Sequence, residues 1–421
     1  MRFFRLLPAA ILCLCMPAIP SLAQDVLLKQ IRFTGDPAHT QAELLAFSGL
    51  KPGANTQQAV QDVAQRFGDT GFYDDVTFEA AGSTLTYTLK PAASSALLPV
   101  RFGNFVWWED KELLAALQGK IPLYHGGPLP LSGNTRDAIA TALQAIVAGK
   151  GVPDPRVISL PTESRPGGPV DTITFTIGSP WVLIHQLTLL AASPAMQPKL
   201  ARVVTDLTGQ QWDKTTALDN ISSRVGDVYR GDGYLDIAVT KLDRSAPTLA
   251  ANSINIDLTA TLSEGPQYHV AHLNFVGCEF LSAEDFAKSS PLKPGDPASP
   301  FVLRSALHLI AVAYSTRGYI DADIQAPPQI DRTTHLVAYS VTIEPGPQYH
   351  LRSVQWTGLT DDQIKAVQSA WRMNGGDIYD AEYATHFVRL HPQLHLGNYK
   401  LGVGEQKNPI DHTVNLTLAF T

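Results

Sequence analysis

The chain is short of cysteine, of charge and of long apolar runs, and each shortage excludes something. It has three cysteines in 421 residues, and two of them, Cys13 and Cys15, lie in the first apolar stretch. Once that stretch is removed only Cys278 remains, so no internal disulfide can form and the fold has to rest on ordinary cores. Charged residues make up 17% and the formal net charge is −7, so the chain has no general attraction for nucleic acid or anionic lipid. No block of like charges marks an interaction tail. Past residue 23 no apolar run reaches the roughly 18 residues of a membrane-spanning helix. The G-x-S-x-G, H-E-x-x-H and phosphate-cradling G-x-x-x-x-G-K patterns are all missing, so nothing points to an enzyme.

What is present begins with an export signal. Arg2 and Arg5 give a positive start, Leu6 to Ile19 an apolar core, and Ser21-Leu22-Ala23 a small-residue cleavage site. Residues 1–23 therefore read as a signal peptide. Pro17, Pro20 and the short apolar length argue against a retained anchor.

The remainder is rich in turns, with 31 glycines and 30 prolines, and 44% of the chain is apolar. It repeats. EGPQYHV (Glu264–Val270) recurs as EPGPQYHL (Glu344–Leu351), and each leads into a strand-like phrase, HLNFVG to Gly277 and SVQWTG to Gly358. KQIRFTG ends likewise at Gly35, and LKPG occurs at Leu50–Gly53 and Leu292–Gly295. In the first unit Ile31 and Phe33 alternate as a strand, and Gln41 to Phe47 reads as a short helix. Thr56 caps a second helix with Val60, Val63, Ala64 and Phe67 on one face. Gly71-Phe72-Tyr73 turns into a strand around Val76 and Phe78, and Leu85, Tyr87 and Leu89 form a third. In the fourth unit Val302, Ala306, Leu309 and Ala313 are expected to face the core. The expected fold class is α+β, with about five tandem βααββ modules in an elongated array. Their spans are 26–91, 98–178, 180–264, 266–345 and 347–421, the second being the most divergent.

The I-x-F-x-G strand, the L-x-P-G turn and the G-[FY] turn, in that order and spacing, resemble the POTRA (polypeptide-transport-associated) domain. The resemblance implies a periplasmic, non-catalytic protein-binding scaffold, as in outer-membrane insertases and secretion pores of the BamA and TamA kind. It implies a role in outer-membrane protein assembly or polypeptide transport. Expected partners are an outer-membrane barrel protein, accessory factors or unfolded polypeptides. The chain leaves no room for a barrel of its own after the fifth unit, so only the binding role is carried over. The alternative is a structural spacer in an envelope complex whose barrel is a separate protein.

In this fold the second strand of each module should be a sheet edge able to take up an extended peptide. The candidate partner-binding residues are Tyr73, Val76, Phe78, Leu235, Val239, Ile320 and Ile324. Trp107-Trp108 joins them, because two adjacent tryptophans cannot both face one core in a regular element. The pair serves either a partner or a contact between modules. No cofactor and no metal is expected. His386, His391 and His395 straddle Pro392 without a recognisable ligand spacing, and the recurring His269 and His350 read as structural. Cys278 reads as a plain thiol.

Overall fold

The structure is a computed structural model describing residues 26–163, 165, 167–276, 280, 282–396 and 399–421. Residues 1–23, expected to be a signal peptide, and Gly277 and Cys278 lie outside these residues. The chain divides into two compact units. One runs to His185 with Gln210–Thr215 and Ser245–Asp257; the other holds Gln186–Gly209, Thr216–Arg244 and Leu258–Thr421.

One local plan recurs. In the first instance the order is strand Gln30–Thr34, helix Gln41–Ser48, helix Gln57–Asp69, strand Tyr73–Ala81 and strand Thr84–Pro91. Thr40 and Glu43 form a capping box at the first helix, and Gly49 ends it in the left-handed conformation, so both helix ends have their free backbone groups met. Thr56 caps the second helix, whose Val60, Val63 and Phe67 are buried. The last strand sits in the middle of the sheet. It pairs parallel with the first strand (Phe33 opposite Tyr87) and antiparallel with the second (Thr77 opposite Thr88). The Phe33 and Tyr87 rings stack at 5.4 Å over Phe67.

The same first–last–second order recurs in four more sheets. The second uses strands Val100–Phe102, Thr172–Ser179 and Arg156–Thr162, with helices Asp110–Leu117 and Thr135–Ala148. Its first strand is only three residues long, because the Asn104 side chain continues the ladder. Asn104 Nδ2 donates to the Ile177 carbonyl (2.9 Å), and Oδ1 accepts the Ile177 N–H (2.7 Å). The third uses strands Trp181–Leu190, Ser253–Ser263 and Ala238–Arg244. The fourth uses His269–Val276 and Leu336–Glu344, with the second strand broken into Asp323–Gln325 and Pro328–Asp331. The fifth uses His350–Thr357, Thr413–Phe420 and Leu401–Asn408.

One helix face differs from expectation. In helix Pro300–Ser315 the buried residues are Leu303, Ala306, Ile310 and Tyr314, while Leu309 is 37% exposed. The helix is apolar on more than one face, and the bulkiest pair, Ile310 and Tyr314, takes the core.

Candidate functional site

Because the last strand is central, the first and second strands of every sheet are edges. Which edge groups point outward follows from the hydrogen bonds. The Ala92 N–H donates to the Phe72 carbonyl (2.8 Å), while on the opposite side Ser83 O accepts from Lys29 and Gln30. Even-numbered residues of Thr84–Pro91 therefore face strand Tyr73–Ala81, and Thr77 and Glu79, opposite Thr88 and Thr86, are held in the ladder. Val76, Phe78 and Ala80 turn their N–H and C=O groups away from it. Val76 is half-buried; Phe78 is 39% exposed and its ring lies 5.7 Å from Tyr87.

The other expected residues divide. Tyr73 is 7% exposed and its hydroxyl donates to Asp36 (2.5 Å), so its side chain belongs to the core. Val239 and Ile324 lie half-buried on second strands, opposite Leu262 and Ile343. Leu235 and Ile320 are in turns ahead of those strands. Each packs against the core of the following module, Leu235 on that around Tyr268 and Ile320 on that around Tyr349. Trp107 and Trp108 sit in the loop before helix Asp110–Leu117, both half-buried, with rings in edge contact at 5.6 Å and Lys150 5.2 Å over Trp108. A loop lets neighbours turn to the same side, which a regular element forbids.

Short joints at Gly265-Pro266 and Gly346-Pro347 are readable from the sequence, but the side chains that build them are not. Within the second unit two of them are built alike. Tyr268 N–H donates to Gly233 O (2.8 Å), Gln267 Nε2 to Asp232 O (2.8 Å) and the Tyr268 hydroxyl to Asp236 (2.6 Å). One repeat on, Tyr349 N–H donates to Gly318 O (2.8 Å), Gln348 Nε2 to Arg317 O (2.9 Å) and the Tyr349 hydroxyl to Asp321 (2.8 Å). Lys407 completes the second joint with an ion pair to Asp321. Its hydrogen bond, helped by that from Tyr349, outweighs burial and holds the Asp321 carboxyl below its ordinary range. The same carboxylate, with burial, pushes the Tyr349 hydroxyl up. The signal was present as paired G-Y-[LI]-D and P-Q-Y-H phrases. His269 and His350 close these turns, each with Nδ1 at a glycine carbonyl, Gly295 (3.1 Å) and Gly376 (2.9 Å).

The first unit has a different joint. Asp36, whose side chain is 2% exposed, meets Tyr73 and the His39 ring (2.7 Å), and His39 Nε2 meets the Leu123 carbonyl (2.9 Å). Carboxylate and carbonyl thus hold the His39 ring by both of its nitrogens. Burial opposes the charge on Asp36, but hydrogen bonds from Tyr73, His39 and the Ala38 N–H prevail and lower its pKa. A lowered carboxyl pKa stabilises the folded state above the unfolded value of about 3.9, and that stability is lost as pH falls through the folded pKa. The melting temperature of the native chain should thus exceed that of Asp36→Asn near neutrality, and the gap should shrink below about pH 5. Thermal melts of both proteins across that range check it; a constant gap would remove Asp36 from the acid response.

Among the described residues no three His, Cys, Asp or Glu side chains converge as metal ligands. His391 Nε2 lies 3.2 Å from the Tyr383 hydroxyl, and His386 3.5 Å from Glu382. No helix among the described residues is long and apolar enough to cross a membrane.

Residues 268–346 match the POTRA family, described as "Surface antigen variable number repeat". A curated protein of Treponema pallidum (strain Nichols), named "Putative outer membrane protein assembly factor", is 22% identical over 177 residues, 42% of this chain. The matched stretch spans about a fifth (21%) of that relative's length. Among solved structures, POTRA domains 3–5 of BamA from Haemophilus influenzae are 17% identical. That match covers 58% of this chain and 98% of theirs, with a TM-score of 0.44. The N-terminal domain of Omp85 from Thermosynechococcus elongatus is 16% identical, covering 57% and 96%, with a TM-score of 0.25.

Proposed function

We propose, from a POTRA domain at residues 268–346 and the same sheet topology repeated on either side of it, that the chain is a periplasmic, non-catalytic protein-binding scaffold. Its task is outer-membrane protein assembly or polypeptide transport. Five modules, 26–91, 98–178, 180–264, 266–345 and 347–421, follow a removed signal peptide at 1–23. The observation that carries the reading is the edge position of the second strands. Their outward N–H and C=O groups suit an extended polypeptide, because backbone pairing takes little account of sequence. The partner is a barrel protein, an accessory factor or an unfolded chain. Val76, Phe78, Val239 and Ile324 line the edges, while Tyr73, Leu235 and Ile320 contribute by fixing them.

The register makes the test specific. Proline removes an N–H, and on an edge it is tolerated only where that N–H faces out. The double variant Val76→Pro/Ile324→Pro is expected to keep its melting temperature within a few degrees while capture of an unfolded outer-membrane barrel polypeptide falls several-fold. Thr77→Pro, which removes a ladder donor, should lower the melting temperature instead. Undiminished capture by the folded double variant would count against the reading. The repeated tyrosine–aspartate joints favour a second role as a spacer, for which co-purification with one barrel protein at fixed stoichiometry is the sign.

A further inference from the structure

Helix Pro300–Ser315 of the fourth module has a second apolar face, turned away from its core. Leu303, Ala306, Ile310 and Tyr314 are the buried side. At about 3.6 residues per turn, Phe301, Ser305, His308 and Val312 fall opposite them, with Leu309 and Arg304 on the two flanks. Phe301 and Leu309 are each 37% exposed, Arg304, Ser305 and His308 are exposed, and Val312 is half-buried. The helix contains no aspartate or glutamate, and Arg304 is its one formally charged residue. The Arg304 guanidinium lies 6.0 Å over the Phe301 ring and meets no carboxylate among the described residues.

The corresponding helices of other modules are polar on this side. Gln57–Asp69 turns Gln58, Gln61, Asp62 and Gln65 to solvent, and Ala217–Gly231 turns out Asn220, Ser223, Arg224 and Asp227. The module plan therefore does not require an apolar outer face. Isolated exposed apolar residues are ordinary, but a row of them along one helix marks a contact surface. Phe301 and Leu309 lie two turns apart on one ridge, about 12 Å along the axis, with the small Ser305 between them. That dip takes one large side chain. The backbone groups along the row are spent inside the helix, so an extended chain finds nothing there to pair with. The element that brings side chains to a helix at every third or fourth position is another helix. The net charge of −7 gives the chain no general attraction for anionic lipid.

We propose that the outward face of Pro300–Ser315 docks an amphipathic helix of a partner protein. An apolar side chain of that helix sits over Ser305 between Phe301 and Leu309, and a carboxylate beside it pairs with Arg304. The surface is a helix face, separate from the sheet edges, and adds to the strand-edge reading without depending on it.

The test uses the full chain and a fluorescent, hydrocarbon-stapled helical peptide, with leucine at every third or fourth position and glutamate along one flank. Anisotropy is the readout. The native chain should bind this peptide about tenfold or more tightly than the same peptide with lysine in place of glutamate. Leu309→Glu should weaken binding of the glutamate peptide about tenfold. Arg304→Glu should weaken it likewise and should bind the lysine peptide more tightly than the native chain does. Both variants change exposed side chains and should keep the native melting temperature. Ile324→Pro, on a strand edge, should bind the peptide as the native chain does, so the two readings fail separately. No binding of the glutamate peptide, or equal binding of the two peptides, would overturn the proposal. Dimers of the native chain that Leu309→Glu dissociates would also overturn it, by giving the face to a second copy. Binding to phosphatidylglycerol vesicles that Leu309→Glu abolishes would overturn it by giving the face to lipid.

Discussion

Gly358→Ala is expected to lower the stability of the fifth module by about 3–5 kcal/mol, as the sum of backbone strain and overpacking. Gly358 ends the first strand at φ 82°, and a Cβ there would lie 1.9 Å from the Phe420 carbonyl oxygen and 2.9 Å from its carbon. The obstacle is backbone of the central strand, so no side-chain rotation relieves it. Relief requires pulling His350–Thr357 away from Thr413–Phe420, the parallel pairing the module is built on. Gly376 provides the control. Its φ is 95° but nothing lies within 4 Å of its would-be Cβ, so alanine there should cost only the conformational strain, about 1–2 kcal/mol. Urea unfolding of both variants separates the two effects. Equal midpoints would show that the close approach carries no weight. Gly35, 2.2 Å from the Leu89 oxygen by the same construction, should behave like Gly358.

The second large effect is at a joint. Gly318→Ala would set a Cβ 2.6 Å from the Tyr349 carbonyl oxygen, at φ 82°. Gly318 cannot retreat freely, because its own carbonyl accepts the Tyr349 N–H at 2.8 Å. We expect a loss of about 2–4 kcal/mol. We also expect protease cleavage to rise in the Glu344–Tyr349 connection, where the Asp321–Tyr349–Lys407 cluster would lose its geometry. Gly295→Ala, with φ 90° and open space around it, should leave that connection protected. Unchanged cleavage in Gly318→Ala would mean that the fourth and fifth modules are held by something other than this joint. Gly233, 2.6 Å from the Tyr268 oxygen, is the same device one repeat earlier.

These glycines illustrate what a sequence discloses. Phe33-Thr34-Gly35 and Trp356-Thr357-Gly358 are legible as strand ends, since alternation and a glycine stop are local signals. The reason for the glycine is not legible, because the atom it avoids lies some sixty residues further on. The apolar face of Gln57–Asp69 was readable for the same local reason, with polar residues marking its other side. Pro300–Ser315 carries apolar residues around more of its circumference, and periodicity alone put Leu309 where Ile310 belongs. Second strands were placed correctly at Val76, Val239 and Ile324, but Leu235 and Ile320 lie in turns that pack forward onto the next module. A pattern confined to one module does not show that. Asn104 was invisible: it is a polar residue whose task is to imitate backbone, and only the geometry of its neighbours reveals it.

The central place of the last strand has a consequence for the order of events as the chain is made. A module emerging N-terminus first displays its first strand, both helices and its second strand before it has anything to pair them with. The sheet closes only when the final segment arrives, and within a few residues of that segment the next module begins, as Glu344 leads to His350. Each module therefore waits with two unpaired strands until its own end is reached, a high-contact-order step that is slow and exposed to mispairing. A nascent chain stopped before Thr413–Phe420 would hold four closed sheets and one open pair, and that open pair is where such an intermediate should first aggregate.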